Sequence, residues 1–255
     1  MRGKVFFVGA GPGALDLLTV RAVRVLEQAD VVLHDELVPH DFVTLLHPAA
    51  AVVNVGKRCG KPGATQDAIN ALMIRYAAEG QRVARLKCGD PSVFGRLGEE
   101  MEALREADIP FEIVPGVTAA LAAAAAARVS LTDRRLASRV QFATANLARG
   151  QQQDWAQCLA QNTTLVIYMP GRDFGRLADE LLGAGAGADL PCAIVACAGT
   201  LEEEVHCTRV SRLSELSLAR SPAIVIVGEV VRELENTADS RALGCEDIIP
   251  QLISV

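Results

Sequence analysis

The chain has 255 residues, half of them hydrophobic and 22% charged, with a formal net charge of −6. This is enough apolar material for one large core or two smaller ones, and it excludes a disordered chain. The acidic balance excludes bulk nucleic-acid binding and leaves room only for a local basic cleft. No apolar stretch is long enough to span a membrane, and glycines break the apolar run after Arg2 and Lys4, so neither a membrane span nor a signal peptide is expected. The seven cysteines are scattered without zinc or iron–sulfur spacing. They read as buried thiols of a reducing, cytoplasmic setting, with no metal site.

The first apolar run, Val5-Phe6-Phe7-Val8, reads as a strand. The loop Gly9-Ala10-Gly11-Pro12-Gly13 follows, and an amphipathic helix is predicted from Asp16 through Ala22. Such glycines let backbone turn sharply and approach a bulky ligand. Two readings of the loop stand side by side. Gly9, Gly11 and Ala14 fit the dinucleotide pattern G-x-G-x-x-G/A, with Asp35 about twenty residues on. Pro12 opposes that reading, because it removes an N–H where a pyrophosphate needs a donor. The second reading is a plain strand-to-helix turn.

Further strands are predicted at Val31–Leu33, Ala51–Val55, Val83–Leu86 and Phe111–Val114. Helices are predicted from Gln66, capped by Thr65, and over Gly95–Ala107. Strands alternating with helices imply a mostly parallel sheet covered on both faces, with ligands beyond the carboxyl ends of the strands. The loops at those ends carry Gly9–Gly13, Asp35, Lys57 and Cys88–Pro91. Pro115-Gly116 marks a domain boundary, giving segments 1–115, 116–235 and a tail 236–255. The second segment opens with the alanine-rich helix Ala119–Ala127. Strands follow at Val140–Ala143, Thr164–Tyr168, Ala193–Val195, Glu203–Arg209 and Ala223–Val227, with a helix over Phe174–Leu182. Glu202–Glu204 read as a solvated strand start.

In this order several short motifs accumulate. They include Val8–Gly13 with Leu17-Leu18-Thr19, Asp35 with Leu37-Val38, and Val55-Gly56-Lys57-Arg58. Gly89-Asp90-Pro91, Phe94-Gly95-Arg96, Glu99-Glu100 and Val114–Ala119 continue the set. Leu131-Thr132 with Arg134, Tyr168-Met169, Pro222-Ala223 and Val227–Val231 complete it. The chain thereby resembles the tetrapyrrole methyltransferases over nearly its whole length, and Phe94-Gly95-Arg96 points to the branch that acts on uroporphyrinogen.

The resemblance implies a two-domain α/β fold, each domain a mostly parallel or mixed sheet flanked by helices, with the active-site cleft between them in a homodimer. It implies S-adenosylmethionine as methyl donor and S-adenosylhomocysteine as product. The implied reaction is two successive C-methylations of uroporphyrinogen III, giving precorrin-2 on the way to sirohaem or cobalamin. Cofactor contacts fall by resemblance on Pro12, Cys88, Gly89, Asp90, Val93, Thr118, Ala119, Met169, Ala198 and Ala223. Asp35 takes the role of proton acceptor and Lys57 that of donor, at strand ends where a positioned acid and base help a proton leave the substrate. Arg96 and Arg134 match substrate-site arginines, and Glu99 matches a glutamate near the reacting ring.

An eight-carboxylate substrate needs a basic cleft even in an acidic protein. Arg58, Lys61, Arg85, Lys87, Arg96, Arg134, Arg135 and Arg139 are the candidates, since guanidinium pairs with both carboxylate oxygens. Arg85 and Arg139 read as ordinary surface arginines. The chain departs from the family pattern at Cys88, where a glycine is usual, at Asp133, where a histidine is usual, and at Ala145-Asn146 and Ala196–Ala198. Cys88 is expected to intrude on the cofactor turn, and Asp133 to offset Arg134 or repel a substrate carboxylate. Two rival readings are a methyltransferase of the same fold acting on another substrate and a cofactor-binding paralogue with little turnover.

Overall fold

The computed structural model describes residues 3–56, 64–147, 151–218 and 220–232. They fall into two compact units, Met1–Ala122 and Ala123–Val255. Lys57, Arg58, Lys61 and the tail 236–255 lie outside the described residues.

Unit 1 contains strands β1 (Lys4–Gly9), β2 (Val31–His34), β3 (Ala51–Asn54), β4 (Arg82–Lys87) and β5 (Phe111–Val114). Its helices are α1 (Val20–Glu27), α2 (Gln66–Ala78) and α3 (Leu97–Glu106), and α4 (Ala119–Ala126) begins in it. The strands form one sheet in the order β3-β2-β4-β1-β5, and every pairing is parallel. A parallel sheet needs cover on both faces, so its central strands are buried almost throughout, the charged Arg85 and Lys87 of β4 included. Alternate residues of β1 serve the two faces. Phe6 and Val8 pack with Ala22, Val25, Leu26 and Phe42, while Val5 and Phe7 pack with Ile69, Met73, Leu97 and Leu104.

Helix starts follow their caps. Thr65 Oγ1 accepts from Ala68 N at 3.2 Å, as the sequence predicts. The first helix starts later than predicted. A single 3-10 turn at Leu15–Leu17 precedes it, and Thr19 Oγ1 caps α1 through Ala22 N at 3.1 Å. α3 likewise starts at Leu97 rather than Gly95, because Arg96 is left-handed (φ 54°) and cannot lie inside a helix.

Unit 2 carries β6 (Arg139–Thr144), α5 (Trp155–Cys158), β7 (Thr163–Tyr168), α6 (Phe174–Gly183), β8 (Pro191–Ala196), β9 (Glu204–Arg209) and β10 (Ala223–Val227). The sheet order is β6-β7-β10-β8-β9. Only β6–β7 is parallel; the other pairings are antiparallel, so this sheet is mixed. One face is filled by Leu165, Ile167, Ile194 and Val225 against Phe174, Leu177 and Leu181 of α6 and the buried Trp155. The four-residue α5 is too short to leave a periodic signal in the sequence. Among the described residues no helix is long and apolar enough to cross a membrane.

Candidate active site

All five strands of unit 1 run the same way, so their carboxyl ends share one edge, and three loops there interlock. Gly11 and Gly89 exchange backbone hydrogen bonds, Gly11 N to Gly89 O at 3.2 Å and Gly89 N to Gly11 O at 2.7 Å. Ala10 N donates to Lys87 O at 2.8 Å. Asp90 joins the third loop through Oδ2, which accepts from Gly116 N at 2.9 Å, while Oδ1 accepts from Ser92 N at 2.8 Å. The backbones approach so closely that a Cβ on Gly116 would lie 2.3 Å from Gly89 O and 2.8 Å from Gly9 Cα. Gly116→Ala is therefore expected to force the loops apart, at about 1–3 kcal/mol of overpacking cost in urea denaturation.

These bonds decide against the dinucleotide reading of the first loop. The N–H groups of Ala10 and Gly11 are spent on the neighbouring loop. α1 begins only at Val20, so Gly9–Gly13 does not run directly into the N-terminus of α1 as a pyrophosphate loop does. One oxygen of Asp35, the residue a ribose would need, is already held by a guanidinium.

That guanidinium is Arg85, which is 2% exposed. This corrects its reading as a surface arginine. Arg85 lies on β4 between the buried Ala84 and Leu86, and Lys87 follows two residues on with its side chain on the same face of the strand. Arg85 Nη2 binds Asp35 Oδ1 at 2.5 Å, and Arg85 Nε binds Glu100 Oε1 at 3.0 Å. Lys87 Nζ donates to both Glu100 oxygens, at 2.9 and 3.1 Å, and lies 3.9 Å from Asp35 Oδ2. Gln66 Nε2, from α2, gives Glu100 Oε1 a further bond at 3.2 Å. Glu100 is fully buried, whereas the Asp35 side chain is 32% exposed. Burial and the Arg85 charge push the Lys87 ammonium below its ordinary pKa, against the pull of Glu100 and Asp35.

Asp35, Arg85 and Lys87 line a cavity of about 220 Å³ in unit 1, together with Gln66, Phe94 and Arg96. Arg96 sits on the strained turn before α3 and forks onto Glu99, Nε to Oε1 at 2.8 Å and Nη2 to Oε2 at 2.6 Å. Both partners are about half exposed, so the pair is easily opened. The structure thus brings Asp35 and Arg96 to one cavity. Lys57 follows Gly56, which lines that cavity, but lies outside the described residues.

Of the cofactor positions suggested by the sequence, Pro12, Cys88, Gly89, Asp90, Val93, Thr118 and Ala119 belong to unit 1. Cys88 packs against the α1-side core, and its Sγ reaches Gly11 O at 3.9 Å. Burial pushes its thiol up to about 11, so it stays protonated and weakly nucleophilic at neutral pH. In unit 2 the register sets Tyr168 beside Ile224 and Ala196 beside Ala223. Met169, Ala198 and Ala223 therefore lie at one edge of the mixed sheet, where Asn146 Nδ2 contacts Met169 Sδ at 3.9 Å. Arg134 is exposed. Asp133 does not pair with it as expected; Asp133 binds Arg135 instead, through Nε at 3.1 Å and Nη2 at 3.0 Å. That pairing and the Arg135 N–H hold the Asp133 carboxyl down at about 2.

The family profile described as Tetrapyrrole (Corrin/Porphyrin) Methylases matches residues 4–214. The chain is 42% identical over 231 residues to a siroheme synthase of Salmonella schwarzengrund, covering 90% of this chain and 50% of that protein. It is 44% identical over 232 residues to the siroheme synthase of Actinobacillus pleuropneumoniae, covering 90% and 48%. The chain thus spans about half the length of the curated relatives it matches. Among solved structures, the uroporphyrin-III C-methyl transferase of Thermus thermophilus complexed with S-adenyl homocysteine superposes with a TM-score of 0.79 and 39% identity, over 91% of this chain and 100% of that one. A cobalt precorrin-4 methyltransferase gives a TM-score of 0.77 at 29% identity, over 89% and 95%.

Proposed function

We propose, from the premise that this chain belongs to the tetrapyrrole (corrin/porphyrin) methylase family, that it methylates carbon atoms of uroporphyrinogen III with S-adenosylmethionine. Two successive transfers would give precorrin-2, toward sirohaem or cobalamin. The observation that carries this reading is the likeness to the Thermus thermophilus protein, which covers the whole of that chain and was solved with S-adenyl homocysteine. We extend the reading to a homodimer acting in the cytoplasm, on the strength of the family resemblance.

The loops of unit 1 fit such a cofactor. Gly89 is left-handed (φ 68°), and a Cβ there would sit only 3.7 Å from Ala119 N and 3.8 Å from Thr118 Cα. Without that side chain, space remains beside the Thr118–Ala119 backbone for a ligand to approach. Pro12, Cys88, Gly89, Asp90, Val93, Thr118 and Ala119 are the unit 1 residues that would hold it. Bound S-adenosylmethionine supplies an electrophilic sulfonium methyl group. Cys88, beside it, would not compete for that methyl, because its thiol is protonated.

Asp35 accepts the proton that the methylated ring system must release. Arg85 fixes the carboxylate at the cavity surface, so the basic oxygen is presented in one orientation. Lys57 returns a proton in the reading that the resemblance supplies. Arg96 and Arg134 bind substrate carboxylates, and Arg96 must exchange Glu99 for its substrate partner to do so. Arg96→Ala and Arg134→Ala are each expected to cost about 2–5 kcal/mol in kcat/KM, with S-adenosylhomocysteine affinity unchanged. Steady-state kinetics and calorimetry on each variant check this.

The deciding experiment is an anaerobic assay of the purified protein with S-adenosylmethionine and uroporphyrinogen III, following S-adenosylhomocysteine release and product mass. Two methyl additions are expected. Methyl transfer only to a later corrinoid precursor would favour the reading suggested by the likeness to cobalt precorrin-4 methyltransferase. Cofactor binding without turnover on either substrate would make the chain a binding paralogue.

A further inference from the structure

The buried cluster beneath Asp35 has a charge pattern that the reaction as proposed does not use. Two cations, Arg85 and Lys87, face two carboxylates, Asp35 and Glu100. Three of the four are almost fully buried, and Asp35 alone is substantially exposed. Glu100 accepts from Arg85, Lys87 and Gln66, so its negative charge is fully engaged. Arg85 divides its guanidinium between Glu100 and Asp35. Arg85, Glu100 and Asp35 taken alone sum to one uncompensated negative charge, with Asp35 at the cavity edge. Lys87 brings the sum to zero with Asp35 ionised.

We propose that Lys87 is a positioning residue for the proton acceptor: pinned by Glu100 within 3.9 Å of Asp35, its ammonium keeps Asp35 in the carboxylate form that can take a proton. Lys87 acts through Asp35, and the inference rests on the reading of Asp35 as the base. Glu100 has a distinct part in it. Burial works against the Lys87 ammonium, and the two bonds from Glu100 keep it charged where Asp35 needs it. The other charged or titratable groups near Asp35 are His34 and Glu36 beside it in the chain, Arg96 across the cavity, Cys88 at the end of β4 and Asp67 on α2 near Arg96. None of them has an ammonium or guanidinium within ion-pair distance of Asp35; only Arg85 and Lys87 do among the described residues.

The test is a pH series on Lys87→Met, Lys87→Gln and Lys87→Arg in the full chain. Removing a cation next to a carboxylate shifts its titration by about 1–3 pH units. The acid limb of the kcat/KM profile is therefore expected to move up by about that much in Lys87→Met and Lys87→Gln, and to return most of the way in Lys87→Arg. The same displacement is expected in the ¹³C NMR titration of the Asp35 carboxyl carbon, assigned by difference from Asp35→Asn, which needs no turnover. A uniform drop in rate with the acid limb and the carboxyl midpoint unmoved would overturn the proposal and leave Lys87 a structural residue. Failure of the base reading looks different. Asp35→Asn would then keep its turnover, while the carboxyl titration would still report whether Lys87 governs the charge on Asp35. If Lys87→Met does not fold, Lys87→Gln, which keeps a donor to Glu100, carries the same prediction.

Discussion

Asp35→Asn is expected to lower turnover by about 10²–10⁴-fold, the range that general acid–base help contributes, while S-adenosylhomocysteine still binds with nearly parental affinity. The amide keeps the shape of the carboxylate but cannot take a proton. The binding expectation follows from position. Asp35 lies at the end of β2 over the 220 Å³ cavity, whereas the loops fitted to the cofactor are tied to one another through Gly11, Gly89, Asp90 and Gly116. Stopped assays of S-adenosylhomocysteine release, beside calorimetry of the same variant, separate the two effects. Loss of affinity with normal turnover at saturation would make Asp35 a binding group and remove the proton-transfer reading.

Glu100→Ala is expected to give the largest loss of stability. The carboxylate is fully buried and accepts from three side chains, so its removal strands the Arg85 and Lys87 cations in the interior. Breaking a buried ion pair from one side costs about 3–5 kcal/mol. That is a large share of the 5–15 kcal/mol typical of a folded domain. The deficit should depend on pH with a definite sign. Lys87 titrates below its usual 10.5 in the folded chain, so between the two values the unfolded chain binds more protons. Stability then rises as pH climbs through the depressed folded value toward 10.5. Without Glu100 the depression deepens, so the variant should recover stability, relative to the parent, as pH rises toward 10.5. Urea denaturation across that range measures it. A deficit that stays constant would show that Lys87 does not titrate there.

The alternation of strands and helices was legible because β1, β2 and β10 are built on apolar runs set off by glycine, proline and capping residues. What the sequence placed less well were starts decided by a single dihedral or cap, as at Arg96 and Thr19. The three-loop junction could be anticipated from Gly9, Gly89 and Gly116, since glycine is the residue that close backbone contact demands. Asp35 and Arg96 were reached through motif resemblance, and both line one cavity. The cluster behind Asp35 was not legible. Glu99 and Glu100 are adjacent on α3, about 100° apart around the helix axis, and only packing tells which one turns inward. Arg85 sits in a strand buried on both faces, where its charge argues for the surface until Glu100 is seen to meet it. The signal was present in the pair Arg85 and Lys87, two residues apart inside an apolar strand, which cannot both be buried without a carboxylate partner.

The bonding of Gly11 to Gly89 also bears on motion. Loops at the carboxyl edge of a parallel sheet ordinarily open locally at little free-energy cost, and their amides exchange with solvent quickly. Here the first and fourth strands continue past the sheet into a reciprocal pair of hydrogen bonds, and Asp90 fastens the fifth-strand loop to the same point. Opening any one of the three means opening the others. The amide hydrogens of Gly11, Gly89 and Gly116 are therefore expected to exchange slowly, together rather than one by one.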